Sequence, residues 1–212
     1  MELVKLFCNN PLDEERAEDK SRFKRRRCWV VDPLDDTRGY LAKQNTFGVI
    51  IGLLEDFQPV FGITYRPLSD ELAFAIDGEG AFVEIGREQN RISVQQGKIS
   101  VLISNSRSSE ELEKILQKIK PEETIKIGGS LKTVEVAKGN ASLFLCPTTS
   151  VMHLWDLCAP QVILEEAGGR ISNAYGKCFD YSQAETVNRN GVIASNGIIH
   201  QRVVGAYMSI LS

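Results

Sequence analysis

The stretch Asp32-Pro33-Leu34-Asp35-Asp36-Thr37 carries the densest chemistry in the chain. It follows Cys28-Trp29-Val30-Val31, which reads as a strand. Proline cannot donate a ladder hydrogen bond, so the strand is expected to stop at Asp32-Pro33. Asp35 to Thr37 then offers N-cap oxygens for a short helix running towards Leu41. Two acids three residues apart across such a turn can face one volume. Magnesium takes hard oxygen ligands, commonly a few carboxylates plus water and substrate phosphate. A helix start at the same place adds N–H donors for a phosphate. The same string is also ordinary turn and cap chemistry.

Two other acidic segments stand out. Leu154-Trp155-Asp156-Leu157-Cys158-Ala159-Pro160 leads into Glu165-Glu166-Ala167-Gly168-Gly169, and places Asp156 at a helix start, where a carboxylate suits the dipole. Leu12-Asp13-Glu14-Glu15 reads by itself as a solvated acidic turn. Lys20 to Arg27 (KSRFKRRR) is a basic run. It reads as a solvated loop or helix face, with attraction of an anionic substrate or a localisation signal as alternatives. Ser130 and Lys132, after Gly128-Gly129, can meet a nucleotide or its second phosphate, while Ser130 equally suits a helix cap. His153 and Arg38 read as surface residues, and Trp155 as core packing in preference to a base-stacking platform. Glu165 and Glu166 need no catalytic role.

The elements that must position these groups fall into two rhythms. Residues 1–28 read as polar and irregular. Phe47 to Leu54, Pro59 to Tyr65, Glu71 to Ile76 and Gly80 to Val83 are short β-rich runs, expected to form an antiparallel meander with a tight hairpin at Asp77-Gly78. From residue 99 strands alternate with helices. Ser100–Ser104, Thr124–Ile127, Ser142–Cys146 and Gly191–Ala194 read as strands. Ser109–Ile119, a helix opening after Gly129 and running through Lys138, His153–Glu166 and Ile198–Ile210 read as helices. The expected organisation is 1–98 as the antiparallel half and 99–212 as the α/β half of one compact unit.

The 212 residues are 42% apolar and 25% charged, with a formal net charge of -3, so no strong field argues for a nucleic-acid polymer or a membrane surface. No apolar run is long enough for a bilayer, and the first residues do not read as a secretory signal. The five cysteines are odd in number and form no CxxC pair. They read as small core hydrophobes, and a cytoplasmic location is expected.

Taken in order, Glu-Glu, then DPLDxT at a strand end, then WD leading to EAGG resembles the inositol-monophosphatase superfamily. WDLCAPQVILEEAGG and Gly128-Gly129-Ser130-Leu131-Lys132 are similar to its bisphosphate-nucleotidase branch. The resemblance covers about residues 12–200. It implies a fructose-bisphosphatase-like α+β layered sandwich, an antiparallel sheet followed by a mixed α/β layer. It also implies Mg2+ and removal of one phosphate from a 3′(2′),5′-bisphosphate nucleotide such as adenosine 3′,5′-bisphosphate. Inositol phosphates and sugar phosphates are alternative substrates, and a non-catalytic ligand-binding module is an alternative role. Asp32 would bridge two metal ions. The Leu34 carbonyl, Asp35, Asp156 and Glu14 would complete the ligands, with Glu15 beside Glu14. Thr37 and Glu14 would act in catalysis, and Asp36, Thr37, Gly128, Ser130 and Lys132 would face substrate.

This sequence departs from the resemblance twice. Asp36 stands where the family has glycine. Its carboxylate would crowd the turn, repel phosphate or capture a metal, or else point harmlessly to solvent. The family's two N-terminal helices and the Thr-x-Ala-Asp motif after them have no counterpart here. One face of the antiparallel sheet is therefore expected to expose apolar surface, open to a partner or to self-association.

Overall fold

A computed structural model describes residues 11–15, 20–105, 109–129 and 131–211. Cys8 and Ser130 lie outside the described residues.

The first sheet has seven strands in sequence order. They are β1 (Leu12–Asp13), β2 (Arg27–Asp35), β3 (Gly48–Glu55), β4 (Gln58–Arg66), β5 (Glu71–Ile76), β6 (Gly80–Ile85) and β7 (Glu88–Ile92). β1 lies parallel to β2, and every later neighbour is antiparallel. A short α1 (Thr37–Leu41) sits between β2 and β3. The second sheet, in the order β12-β14-β10-β8-β9, is mixed. Its strands are β8 (Ser100–Ser104), β9 (Glu123–Ile127), β10 (Leu143–Cys146), β12 (Arg170–Ser172) and β14 (Val192–Ser195). β8, β9 and β10 run parallel, and β14 is antiparallel to β10 and β12. β11 (Met152–His153) pairs separately with β13 (Val187–Asn188). The helices are α2 (Glu110–Ile119), α3 (Lys132–Ala137), α4 (Leu154–Glu166) and α5 (His200–Leu211).

Alternation along the strands assigns the layers. In the second sheet Val101, Ile103, Leu143, Leu145 and Ile193 face α2 and α5, where Leu112, Ile115, Val203 and Tyr207 complete a core. Leu102, Phe144, Cys146, Val192 and Ala194 face the other way and share a core with α3, α4 and Ile50, Ala73, Ala75 and Ala81 of the first sheet. α4 is buried on consecutive positions, Leu157 to Pro160 and Val162 to Leu164, because a sheet packs on each side of it. The outer face of the first sheet is half-buried. Trp29, Val49, Ile51, Leu53, Phe61, Ile63, Phe74 and Phe82 all sit there, with Trp29 edge-on to Phe61 and Phe74 stacked on Phe82.

Three expectations need correction. β2 does not stop before Pro33. It runs to Asp35 through a register shift between Asp32 and Asp35, and an irregular ladder is where a strand tolerates proline. The first 28 residues are not all irregular, since they hold β1 and a 3-10 turn at Lys20–Lys24. Within that basic run Arg22 is buried, donating to the carbonyls of Tyr181 and Gln183. The cysteines divide, Cys28, Cys146 and Cys158 being buried and Cys178 exposed.

Candidate metal centre

The irregular end of β2 is the foundation of the site. Asp32 and Asp35 are both buried. The Leu34 N–H donates to Asp32 Oδ1 at 3.0 Å, so the turn is tied to the carboxylate it presents. The Thr37 hydroxyl, at the start of α1, reaches the Leu34 carbonyl at 3.5 Å. The third acid comes from the far side of the fold. Asp156 lies in the first turn of α4 and accepts the His153 N–H through Oδ2 at 2.7 Å, which caps the helix and fixes the side chain. One ligand-type oxygen from each of Asp32, Asp35 and Asp156 lies within 4.8 Å of the others.

α4 reaches this place because it lies directly on the first sheet. Gly52 and Gly62 face each other on β3 and β4. A Cβ on Gly62 would fall 2.4 Å from the Ala159 carbonyl oxygen, and one on Gly52 would fall 2.5 Å from the Cys158 sulfur. The paired glycines let the helix backbone settle onto the strands, one turn after Asp156. On the second sheet, the parallel strands β8 and β9 end together at Ser104 and Ile127. Ser104, Asn105, Gly128 and Gly129 therefore open onto the same cleft, at the carboxyl ends of parallel strands where ligands commonly bind. Thr46, whose side chain lies beside Asp36 and Gly128, and the cleft residues Ser104 and Asn105 were not singled out from the sequence. The parallel β8–β9 pair was the signal for the last two, and it is invisible until the strands are placed.

The cleft has a volume of about 760 Å³. Its lining takes in Glu14, Leu34, Asp36, Thr37, Lys132 and His153 besides the three aspartates. Glu14 is exposed, and the bond from its N–H to the Val31 carbonyl beside β1 brings it to the cleft wall with Asp32. Burial first, then the charges of Asp35, Glu14 and Asp156, push Asp32 up to about 9. So many carboxylates in one half-dry volume demand either a proton or a cation. Oxygen-only donors at this spacing fit a hard divalent ion such as magnesium.

The remaining candidates are placed as follows. Lys132 is 4% exposed, and its ammonium is held by the carbonyls of Ile127 and Gly129 above the Phe144 ring. Trp155 is half-buried on the cleft wall and stacks on His153 at 4.4 Å. Burial lowers the His153 pKa from its ordinary value. Arg38 is exposed at the rim. Glu166 serves the hairpin between β5 and β6, accepting the N–H groups of Gly78 and Gly80. Asp36 is half-buried, and its Oδ2 has no contact with solvent. It takes a left-handed conformation, φ 57°, and its Oδ1 accepts the Gly39 N–H at 3.2 Å.

Fold and site together define an α/β layered protein with a candidate divalent-cation centre. The chain belongs to the inositol monophosphatase family, a family of metal-dependent phosphatases, whose sequence pattern matches residues 9–211. Among curated proteins it is similar to the 3′(2′),5′-bisphosphate nucleotidase CysQ of Salmonella typhimurium, 34% identical over 161 residues, covering 76% of this chain and 64% of that protein. The Buchnera aphidicola CysQ is 35% identical over 161 residues, 76% of this chain and 60% of that one. The chain thus spans less than two thirds of the length of these relatives. Among solved structures it resembles an IMPase of Thermotoga maritima in fold, with TM-score 0.80, 24% identity, 99% of this chain and 78% of that one. It also resembles CysQ of Bacteroides thetaiotaomicron, with TM-score 0.78, 25% identity, 92% of this chain and 80% of that one. Among the described residues no helix is long and apolar enough to cross a membrane.

Proposed function

We propose that this chain hydrolyses a small phosphomonoester with magnesium, and that the substrate is a 3′(2′),5′-bisphosphate nucleotide. The observation that carries the reading is the convergence of Asp32, Asp35 and Asp156 on one cleft with donor atoms within 4.8 Å. The choice of substrate is supported by the likeness to bisphosphate nucleotidases.

Asp32, Asp35 and Asp156 would hold the metal, with Glu14 and the Leu34 carbonyl beside them. When bound, magnesium supplies positive charge to the phosphoryl oxygens and acidifies water. The chain's own share is positioning, and phosphoryl transfer asks for little more. The β2 turn fixes two carboxylates, α4 fixes the third, and the Thr37 hydroxyl orients at the Leu34 carbonyl. Glu14, which lines the cleft with Asp32, would act in catalysis as well as in holding the metal.

Phosphate release from adenosine 3′,5′-bisphosphate, an inositol monophosphate and a sugar phosphate, each with and without magnesium, tests the proposal. Magnesium-dependent release, fastest from the bisphosphate nucleotide, is expected. Faster release from either other substrate moves the assignment to that class. No magnesium-dependent release from any of them rejects the enzyme and leaves a ligand-binding module.

A further inference from the structure

Asp36 is in an unusual position for an acid beside three others. Its backbone is left-handed, φ 57° and ψ 58°, and its side chain turns back onto the first turn of α1. Oδ1 accepts the Gly39 N–H. Oδ2 has no hydrogen-bond partner and no contact with solvent, and the Thr46 hydroxyl is in the same condition. The two oxygens occupy one slot. A Cβ placed on Gly39 would lie 2.3 Å from Asp36 Oδ2 and 2.2 Å from Thr46 Oγ1. A Cβ on Gly128 would lie 2.9 Å from the first and 3.3 Å from the second. The next residue, Gly129, would meet Asp35 Oδ2 at 3.3 Å and the Thr46 carbonyl at 2.5 Å. The Asp36 and Asp35 oxygens therefore occupy the spaces that side chains at Gly128 and Gly129 would need. Lys132 grips the same loop from its other side through the carbonyls of Ile127 and Gly129.

We infer that Asp36 is a positioning residue that latches the β2–α1 turn to the Gly128–Gly129 loop and so fixes the metal-facing orientation of Asp35. The inference rests on the proposed metal centre, not on turnover. This role needs no contact of Asp36 with substrate or metal. Its oxygens act through the turn, the Thr46 hydroxyl and the glycine loop. A residue without this side chain would suit the left-handed backbone better but would leave the slot empty and the loop unheld.

The test compares Asp36→Gly and Asp36→Asn with the parent in two measurements. Hydrogen exchange of the Gly39 amide reads the latch with no metal present. Calorimetric titration with Mn2+ alone reads its consequence. Asparagine keeps the acceptor for Gly39 and offers an N–H to Thr46, so it should stay within about 3-fold of the parent in both. Glycine should lose Gly39 protection and weaken Mn2+ binding by about 10-fold or more, and where turnover exists kcat should recover at saturating magnesium. If Asp36→Gly does not fold, Gly39→Ala evicts the carboxylate sterically and should give the same two losses. Unchanged Gly39 exchange and Mn2+ affinity in a folded Asp36→Gly or Gly39→Ala chain overturns the latch, as does an Asp36→Asn chain as weak as glycine. A parent that binds Mn2+ but hydrolyses no phosphomonoester sinks the proposed function and leaves the latch standing. A parent that binds no Mn2+ overturns the metal centre and this role together.

Discussion

Replacing Gly62 by alanine adds one methyl group at the place where α4 meets the first sheet. The new Cβ would lie 2.4, 2.7 and 2.9 Å from the oxygen, Cα and carbonyl carbon of Ala159. All three are backbone atoms, so no side chain can rotate away. Ordinary contact begins near 3.4 Å, and α4 must lift by about 1 Å. Overpacking of this kind costs about 1–3 kcal/mol. At about 2–4 °C per kcal/mol for a chain of this size, the melting temperature should fall by about 2–12 °C. Asp156 sits one turn before Ala159, and the three ligand oxygens now lie within 4.8 Å of one another. A shift of one of the three ligands by about 1 Å should weaken Mn2+ binding, and misplacement of that size can cost about 100-fold in rate where turnover exists. Calorimetric titration with Mn2+ and thermal melts measure the two effects. Gly205→Ala is the control, because its Cβ would meet nothing and alanine favours the α5 helix. A Gly62→Ala chain that melts within a degree of the parent and binds Mn2+ equally well would refute the claim that backbone contact places α4.

His200 is 0% exposed, with Nε2 2.9 Å from Ser172 Oγ and Nδ1 2.8 Å from Ser195 Oγ. Because Ser172 donates to the Asn173 carbonyl, it receives from Nε2–H, and Ser195 donates to an unprotonated Nδ1. Burial lowers its pKa to about 4. As pH falls from about 6.5 to about 4, the unfolded chain takes up a proton that the native ring refuses, so stability present above that window is lost within it, by about 3 kcal/mol. Urea midpoints against pH should show the slope, and His200→Gln should flatten it. Asp32→Asn should raise the melting temperature of the metal-free chain, because it removes a carboxylate held against three others, and should abolish any shift caused by magnesium. A lower metal-free melting temperature would contradict that electrostatic account. The half-buried outer face bearing Trp29, Leu53 and Phe61 is expected to promote self-association with rising concentration. Sedimentation velocity of the parent and Phe61→Lys checks this, and equal monomer fractions would count against it.

What could be read beforehand followed the range of the interactions. The β3–β6 meander was legible because alternation, turn residues and strand length are local, and the amphipathic run Leu112, Ile115, Ile119 announced α2 in the same way. The course of β2 past Pro33 was not legible, since a bulge is decided by the partner strand. Asp32, Asp35 and Asp156 were nameable as chemistry, yet their convergence depends on the Gly52–Gly62 pair, whose role appears only when β3 and β4 are in register. The surroundings of Asp36 were hidden for a related reason: the slot between Gly39 and Gly128 that receives its Oδ2 forms only when the turn and the glycine loop meet.

The acidic cluster also constrains how the rest of the molecule must be built. Carboxylates driven together in a half-dry cleft oppose folding until a cation or proton joins them, as the displaced titration of Asp32 shows. The scaffold must therefore be rigid without help from the site. Arg66 lies between Glu71 and Glu135, and Lys138 bridges the same two acids, so the far ends of β4, β5 and α3 are pinned by a nearly buried network of balanced charge. That network holds the base of α3, the two glycines let α4 down onto the sheet, and Lys132 braces the loop between β9 and α3. None of these anchors adds net negative charge beside the acids. Rigidity placed there keeps the donor oxygens of Asp32, Asp35 and Asp156 within 4.8 Å of one another, which is the arrangement a hard divalent ion needs.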